Sequence, residues 1–408
     1  MQSPLVTVVV FILTYIGMAA GRLPWLQVDR TGIALLGVIL LLGSEAVTLD
    51  DVGASIDMPT LVLLFALMII SAQLAASGFF DRCAQWITEI EAGPATLLAF
   101  TVVMSGALAA LFVNDILFFA LVPLVIAAVR ARGLDPRPFL IALAGAANMG
   151  SAATLIGNPQ NILIGEIGNL SFATFLLACA VPALFGLVTV FATVWLVWHG
   201  RMSATVMAVT RDVPDVPYHP HDRNQTIKGL IAMVALIVLF TTTLPRAIGA
   251  LVIAAILLAN RKFTSRTMIA AVDWPLLLLF ACLFAVTGSF ANTGVPWAAV
   301  DWLQEHNLMP DSLVVMAPLT LVMSNTIGNV PSVILLMQVW PNPPQGALYG
   351  LALMSSLAGN LLLVGSVANL IVAERARRHG ITIGFWSYFR VGAPLTLATI
   401  ALGLWLLR

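Results

Sequence analysis

Four short polar stretches interrupt a chain that is otherwise apolar, and they hold the residues best suited to chemistry. The first is Val113-Asn114-Asp115, in the middle of an apolar run over 95–130. The second runs from Gly150 to Asn158 through Ser151, Thr154 and Gly157, with Pro159 and Asn161 just beyond. The third is Ser324-Asn325-Thr326-Ile327-Gly328-Asn329, inside the run 311–340. The fourth runs from Gly359-Asn360 to Gly365-Ser366, with Asn369 beyond. Amides, hydroxyls and backbone groups freed by a broken helix bind ions and oxygen-rich solutes. No HExxH, GxSxG or phosphate-loop pattern accompanies them, so neither an intramembrane enzyme nor an ATP-driven pump is supported. No cofactor is expected beyond a coupling ion, H+ or Na+.

Broken backbone at membrane depth persists only where protein, water or ligand satisfies it. Asn158 reads as an N-cap and Pro159 as a first helical residue. Ser366 reads as the matching cap, and Pro331 can start a returning arm. Each hairpin's returning arm begins at its tip, so its N-terminus points to mid-bilayer, as do the half-helices after Asn158 and Ser366. Four positive dipole ends then converge, favouring an anion or an oxygen-rich neutral solute. Freed carbonyls and the Asn, Ser and Thr oxygens suit a small cation such as sodium at the hairpin tips. The candidate binding residues are Asn114, Asp115, Thr154, Gly157, Asn158, Asn161, Ser324, Asn325, Thr326, Asn329, Asn360, Gly365, Ser366 and Asn369. The rival reading makes them packing groups between helices. Their matched placement in both halves argues against it.

Asp115 is the carboxylate placed near mid-bilayer, where an ionisable group is a functional hypothesis by default. It could carry a proton, neutralise a cation or sense occupancy; its bland role is to cap the helix that follows. The second half offers Thr326 instead. Asp57 and Asp273 precede Met58-Pro59 and Trp274-Pro275 and read as caps, Glu45 and Glu166 lie towards outer span ends, and Glu374 sits beside Arg375, Arg377 and Arg378. His219 and His221 lack the further ligands a metal site needs.

The elements that position these groups follow from composition. Of 408 residues, 60% are apolar and 9% charged, and mean hydropathy is +1.00. At ~20 residues per crossing this suffices for roughly twelve spans. A soluble enzyme, a disordered chain, a secreted disulfide scaffold and a nucleic-acid binder are excluded. Nineteen basic residues balance nineteen acidic ones, and three cysteines are too scattered for a framework. Apolar runs lie near 4–20, 31–48, 59–79, 95–130, 138–165 and 172–198, then near 229–243, 247–260, 274–292, 311–340, 345–373 and 384–407. The first lacks a positive n-region and reads as a mature span rather than a signal peptide.

Three landmarks recur in order. Asp57-Met58-Pro59 matches Asp273-Trp274-Pro275, Asn114 matches Asn325, and the stretch 155–162 matches 363–370, at offsets of 216, 211 and 208 residues. The expected fold is an all-α polytopic membrane protein of two inverted repeats. Each repeat has five crossings and one re-entrant hairpin, with helices broken at the midplane. Residues 1–198 form the first repeat, 199–227 a cytoplasmic linker and 228–408 the second repeat. Threading the chain puts seventeen of the nineteen Lys and Arg residues, Arg30 among them, on one side, and leaves Arg246 and Arg408 on the other. The positive-inside rule makes the rich side cytoplasmic and both termini external, in a cell inner (plasma) membrane.

The stretches "LFVNDILFFALVPLVI", "NMGSAATLIGNPQNILIG", "LVMSNTIGNVPSVILLM" and "SSLAGNLLLVGSVANLIVAE" resemble the ion transporter superfamily. That group holds citrate-transporter-like permeases, divalent anion–sodium symporters, arsenite efflux pumps and some sodium/proton antiporters. The resemblance implies a homodimer with a scaffold and a moving transport domain. In the symporters Ser-Asn-Thr at both tips binds sodium and substrate carboxylate; Ser324-Asn325-Thr326 keeps that signature. Val113-Asn114-Asp115 departs from it and is more similar to the arsenite pumps. The mixture most resembles uncharacterised bacterial anion permeases.

The expected function is secondary active transport of a small anion or oxyanion by ion-coupled alternating access. Proton-coupled arsenite or metalloid efflux and sodium/proton antiport are the alternatives within transport. A passive channel, whose pore broken helices also line, and a membrane scaffold are the rivals outside it.

Overall fold

The computed structural model describes residues 4–21, 28–89, 93–112, 114–202, 221–306, 308–340 and 342–407; for Thr88, Asn114, Asp115, Ile116 and Ala299 it describes the backbone alone. Among these residues helix is the only regular structure, as a bilayer demands of any chain that does not close a barrel. The first half supplies α1 (Pro4–Ala20), α2 (Arg30–Gly43), α3 (Leu49–Ser55), α4 (Met58–Ala76), α5 (Phe79–Glu89), α6 (Pro94–Ala109), α7 (Asn114–Arg130), α8 (Pro136–Ser151), α9 (Pro159–Ile167) and α10 (Phe172–Trp198). The second supplies α11 (Arg223–Leu239), α12 (Arg246–Leu258), α13 (Ser265–Ala270), α14 (Trp274–Ala291), α15 (Val295–Glu305), α16 (Leu313–Thr326), α17 (Asn329–Val339), α18 (Gln345–Ala358), α19 (Val367–Arg378) and α20 (Phe385–Leu406).

Local chemistry sets many of the starts. Proline opens α6, α8 and α9, where its missing N–H costs nothing. Asp57 Oδ1 accepts from Thr60 N at 2.8 Å and Asp273 Oδ1 from Leu276 N at 3.0 Å, so both landmark aspartates cap, as their place before proline predicts. Helix α11 begins at Arg223, inside the stretch read as a linker. Most of that stretch, with His219, lies outside the described residues, and so does Val113 of the first tip.

Helix order and packing both recur. Short α3 precedes α4 as short α13 precedes α14, and the two broken runs, α8–α9 and α18–α19, occupy the same place in each half. Helix α2 packs on α14 as α12 packs on α4. Helix α6 lies on α8 as α16 lies on α18, and α7 meets α19 as α17 meets α9. Exchanging the halves reproduces the pairings. Helices α4 and α14 form the centre, with Leu63, Leu67 and Ile70 and with Phe280, Leu283 and Phe284 fully buried. Apolar side chains also point outward: Leu177 of α10 is 80% exposed, and Val181, Leu184, Val188 and Leu196 follow on the same helix. Hydrophobic surface on this scale suits lipid.

Four helices among the described residues are long and apolar enough to cross a membrane: α4, α10 with the turn that follows it, α14 and α20. They are two corresponding pairs. The hairpin arms are shorter. At ~1.5 Å per residue, α16 and α17, of 14 and 11 residues, rise only about 21 and 16 Å, against a hydrocarbon core of ~30 Å. Helices α5 and α15 were not anticipated, because each is amphipathic and falls between apolar runs. Phe79 and Phe80 at the start of α5 meet the Phe112 ring at 6.1 and 5.5 Å, which buttresses the first hairpin next to its tip.

Candidate functional site

The two broken runs meet at the centre of the molecule, and their polar residues interlock across the halves. Asn158 sits at the N-cap of α9. Its Oδ1 accepts from Asn161 N at 2.8 Å, while its Nδ2 donates to Ser356 Oγ at 3.1 Å and Ser151 Oγ at 3.3 Å. Ser366 sits at the N-cap of α19 but makes no capping bond. Its hydroxyl donates instead to Asn148 Oδ1 at 3.0 Å. This corrects the expectation of a serine cap. The physical reason is that Asn148, reaching over from α8, offers an acceptor the hydroxyl prefers to its own backbone. The bonds 158–356 and 148–366 exchange under the 208-residue offset read between the motifs.

The same offset governs the carbonyls left free at the breaks. Asn161 Nδ2 donates to Ser151 O at 3.2 Å and Thr154 O at 2.9 Å; Asn369 Nδ2 donates to Gly359 O at 2.8 Å and Leu362 O at 3.3 Å. These four carbonyls were expected to be open to a cation. Each already accepts from an asparagine, so a cation there has to share them. Asn148 Nδ2 also donates to Asn360 Oδ1 at 2.7 Å and Asn369 Oδ1 at 2.9 Å. A side chain at Gly157 would collide with the Ser151 backbone, and one at Gly365 with the Asn325 amide, so both positions require glycine for close approach.

The hairpin tips are tied to the breaks. Thr154 Oγ1 donates to Ala110 O at the end of α6. In the second half Asn325 does this work: its Nδ2 donates to Leu321 O and Ala358 O, both at 2.9 Å, and its Oδ1 accepts from Leu362 N at 3.2 Å. Helix α16 runs on through Thr326, so the chain turns at Ile327-Gly328 and not across the whole Ser-Asn-Thr stretch. Thr326 is exposed and bonds back to Val322 O and Met323 O of its own helix, which removes it from the cluster. Gly328 has φ +97°, a left-handed conformation that favours glycine, and it aims the first turn of α17 inward. Tyr15 Oη holds that turn by donating to Pro331 O at 3.3 Å. Asn114 and Asp115 open α7, and their side chains are not among those described.

A cavity of about 60 Å³ lies where these parts converge. Arg30, Asn148, Asn158, Gln160, Asn329 and Ser366 line it, and Met18, Leu276 and Leu279 form an apolar wall. The first turns of α9, α17 and α19 all border it, through Pro159, Asn329 and Val367. Ser324 Oγ, Asn329 Oδ1 and Asn161 Oδ1 are buried without a hydrogen-bond partner. A wider vestibule of about 680 Å³ shares Arg30, Leu276, Leu279 and Val367 with the cavity. Its outer wall carries Glu374, whose carboxyl is held below its usual range by the neighbouring Arg377 at 3.0 Å.

The structure thus brings together Asn158, Asn161, Asn329, Asn360, Ser366 and Asn369, with Thr154, Gly157, Asn325 and Gly365 as their framework and Ser324 close by at the end of α16. Four participants escaped the sequence reading, Arg30, Asn148, Gln160 and Ser356, and Ser151 was read as part of a break but not as a binding residue. Asn148 and Ser356 stand 208 residues apart and are both polar, a signal visible had the motif match been carried backward. Arg30 gave no signal except its charge, which read as a cytoplasmic-side marker. Among the described residues there is no cluster of three or more His, Cys, Asp or Glu side chains placed to hold a metal.

The chain is similar to known proteins. A family model described as "Citrate transporter" matches residues 8–343. The silicon efflux transporter LSI3 of Oryza sativa subsp. japonica is 28% identical over 93% of this chain and 93% of its own length. The inner membrane protein YbiR of Escherichia coli is 30% identical over 86% of this chain and 87% of its own. Among solved structures, the YdaH transporter of Alcanivorax borkumensis, described as having an unusual topology, aligns with a TM-score of 0.60 at 13% identity, covering 100% of this chain and 98% of that one. That likeness is one of fold.

Proposed function

Because the chain belongs to the citrate transporter family, a family of membrane transporters, we propose that it carries a small anion or oxyanion by ion-coupled alternating access. The observation that carries this reading is the central cavity. Three helix N-termini border it, both halves contribute to it, and Asn329 on its wall keeps an unpartnered buried oxygen. Positive dipole ends in a dry site stabilise negative charge by up to ~2 kcal/mol each. We read α6–α7 and α16–α17 as re-entrant hairpins in two halves of opposite orientation. With the broken α8–α9 and α18–α19 runs each counted as one crossing, five crossings per half remain the working topology. Residues 1–198 and 228–408 are the two repeats of that scheme. The vestibule carries Asp273, Glu374 and Arg377, and the positive-inside rule assigns that face to the cytoplasm, so this conformation opens inward. We place the protein in the inner membrane as a homodimer with both termini outside the cytoplasm.

The name of the rice relative favours a second reading of direction and cargo: efflux of a small metalloid oxyacid driven by protons, with Asp115 carrying the proton. One experiment addresses both. Everted vesicles expose the cytoplasmic face, so export appears as accumulation. Vesicles with and without the protein are offered arsenite, silicic acid and inorganic anions, with and without an imposed proton or sodium gradient. Gradient-dependent accumulation with saturation supports a coupled carrier. Non-saturating flux without counterflow would replace it by a channel. Asp115→Asn should abolish proton coupling; unchanged pH dependence in that variant removes Asp115 from the mechanism.

A further inference from the structure

Arg30 is the cation that neither the fold nor the described hydrogen bonds account for. It begins α2, lines both the central cavity and the vestibule, and lies against the second hairpin tip: a methyl group placed on Gly328 would sit 3.4 Å from its Nη1. Among the described residues no hydrogen bond or ion pair reaches its guanidinium. The carboxylates of the vestibule are engaged elsewhere. Asp29 Oδ1 accepts from Gly32 N at 2.9 Å, Asp273 caps α14, and Glu374 pairs with Arg377 at 3.0 Å and Arg378 at 3.6 Å. Among the described residues, then, no carboxylate pairs with Arg30, and its guanidinium shares the cavity with the positive N-terminal ends of α9, α17 and α19, an arrangement that favours something negative between them.

Two side-chain amides complete the set. Asn329 is 7% exposed and Gln160 5% exposed, both line the cavity, and no hydrogen bond reaches either amide among the described residues. Each can donate from its NH2 group. The space of about 60 Å³ shares Arg30, Leu276, Leu279 and Val367 with the wider vestibule, so an occupant can reach it from that side.

We propose that Arg30, Gln160 and Asn329 form the charge-selective part of the substrate site, and that they hold the oxygens of a small oxyanion. This rests on the carrier reading for its purpose but not for its test. Arg30 supplies the formal charge, the two amides donate to the remaining oxygens, and among the described residues lining the cavity Arg30 is the one cation, opposite an apolar wall of Met18, Leu276 and Leu279.

The test reads the field at the site without knowing the cargo. Val367 is exposed, lines both spaces and is near cysteine in size, while Cys83, Cys179 and Cys282 are buried. In the full chain in membrane vesicles, Val367→Cys is labelled with an anionic and a cationic thiosulfonate. The anionic-to-cationic rate ratio should fall about tenfold or more when Arg30→Gln is added and recover with Arg30→Lys. An unchanged ratio overturns the proposal. With Arg30 intact, inorganic phosphate should slow labelling and chloride at equal ionic strength should not; equal labelling rates in both overturn the proposal, and this arm needs no Arg30 variant. A ratio that falls as expected in a protein that moves no anion under any gradient leaves the site and removes the carrier. A flat ratio with transport retained does the reverse.

Discussion

Two buried polar clusters join the halves of this protein, and the contrast between them separates scaffold from site. In the first, Gln73 Nε2 donates to Gln225 O at 3.1 Å and Oε1 at 3.0 Å, and Asn260 Nδ2 donates to Gln73 Oε1 at 3.1 Å and Gln225 Oε1 at 2.8 Å. Asn260 Oδ1 in turn accepts from Lys262 N at 2.9 Å, so all three side-chain oxygens are satisfied. Ser77 and Thr226 add a hydroxyl pair at 2.9 Å beside them. The second cluster, around Asn148 and Asn158, uses the same residue types but leaves Asn161 Oδ1, and Ser324 Oγ and Asn329 Oδ1 of the second hairpin, without partners, Asn329 on the wall of the cavity. An orphaned buried polar atom costs about 1–3 kcal/mol. The proposed function makes the open cluster the one kept for a ligand.

The largest effect should come from Asn148, which serves three partners across the halves. Asn148→Ala strips Asn360 Oδ1 and Asn369 Oδ1 of their donor and Ser366 of its acceptor. We expect a loss of about 2–4 kcal/mol in stability and transport below about a tenth of wild type. Thermal unfolding in detergent and flux in vesicles measure the two. A variant that transported normally would put the cluster on the scaffold side of the comparison.

Gln73→Leu should show the opposite profile. Breaking the closed cluster costs about 1–2 kcal/mol, lowers the unfolding temperature and leaves the apparent KM unchanged. A change in KM without destabilisation would move this cluster into the transport machinery. Ser324→Ala sharpens the comparison from the other side. Removing a hydroxyl that has no partner should leave stability unchanged or raise it by up to about 1 kcal/mol, while affinity for the coupling ion or cargo falls. Destabilisation with intact affinity would show the hydroxyl to be structural.

Much of this was legible in the sequence because broken helices leave a compositional trace. Asn158-Pro159, Gly365-Ser366 and the two Asp-x-Pro starts read correctly as interruptions and helix beginnings, since capping and proline chemistry are local. The 208-residue offset between the matched stretches recurs in the hydrogen bonds 158–356 and 148–366, because matched positions in a repeat meet matched environments. Three things stayed hidden, for one reason. Ser366 abandoned its cap for Asn148, Thr326 turned back onto its own helix, and Arg30 reached inward from a place that counts as cytoplasmic edge. Each outcome is decided by a neighbour hundreds of residues away or by one turn of helix, which spacing along the chain does not record. The amphipathic α5 and α15 were missed because the search was for apolar runs.

The smallest expected effect tests whether the closed cluster can be perturbed from its edge. Asp222 caps α11 through Asn224 N at 3.1 Å and Gln225 N at 3.2 Å, and it pairs with Lys262, whose own N–H serves Asn260. The hydrogen bond from Lys262, helped by the Gln225 N–H, holds the Asp222 carboxyl below its usual range. A depressed folded value means that the stabilisation is present above the unfolded carboxylate range, near pH ~4, and is lost as pH falls through the folded value. Lys262→Ala should therefore flatten the acid side of the stability profile and change the unfolding temperature at neutral pH by no more than about a degree, because the pair is exposed to solvent and surface pairs contribute little. Transport at pH 7 should not change. If it did, the edge of the closed cluster would be coupled to the open one, and the two would have to be treated as parts of a single moving interface between the halves.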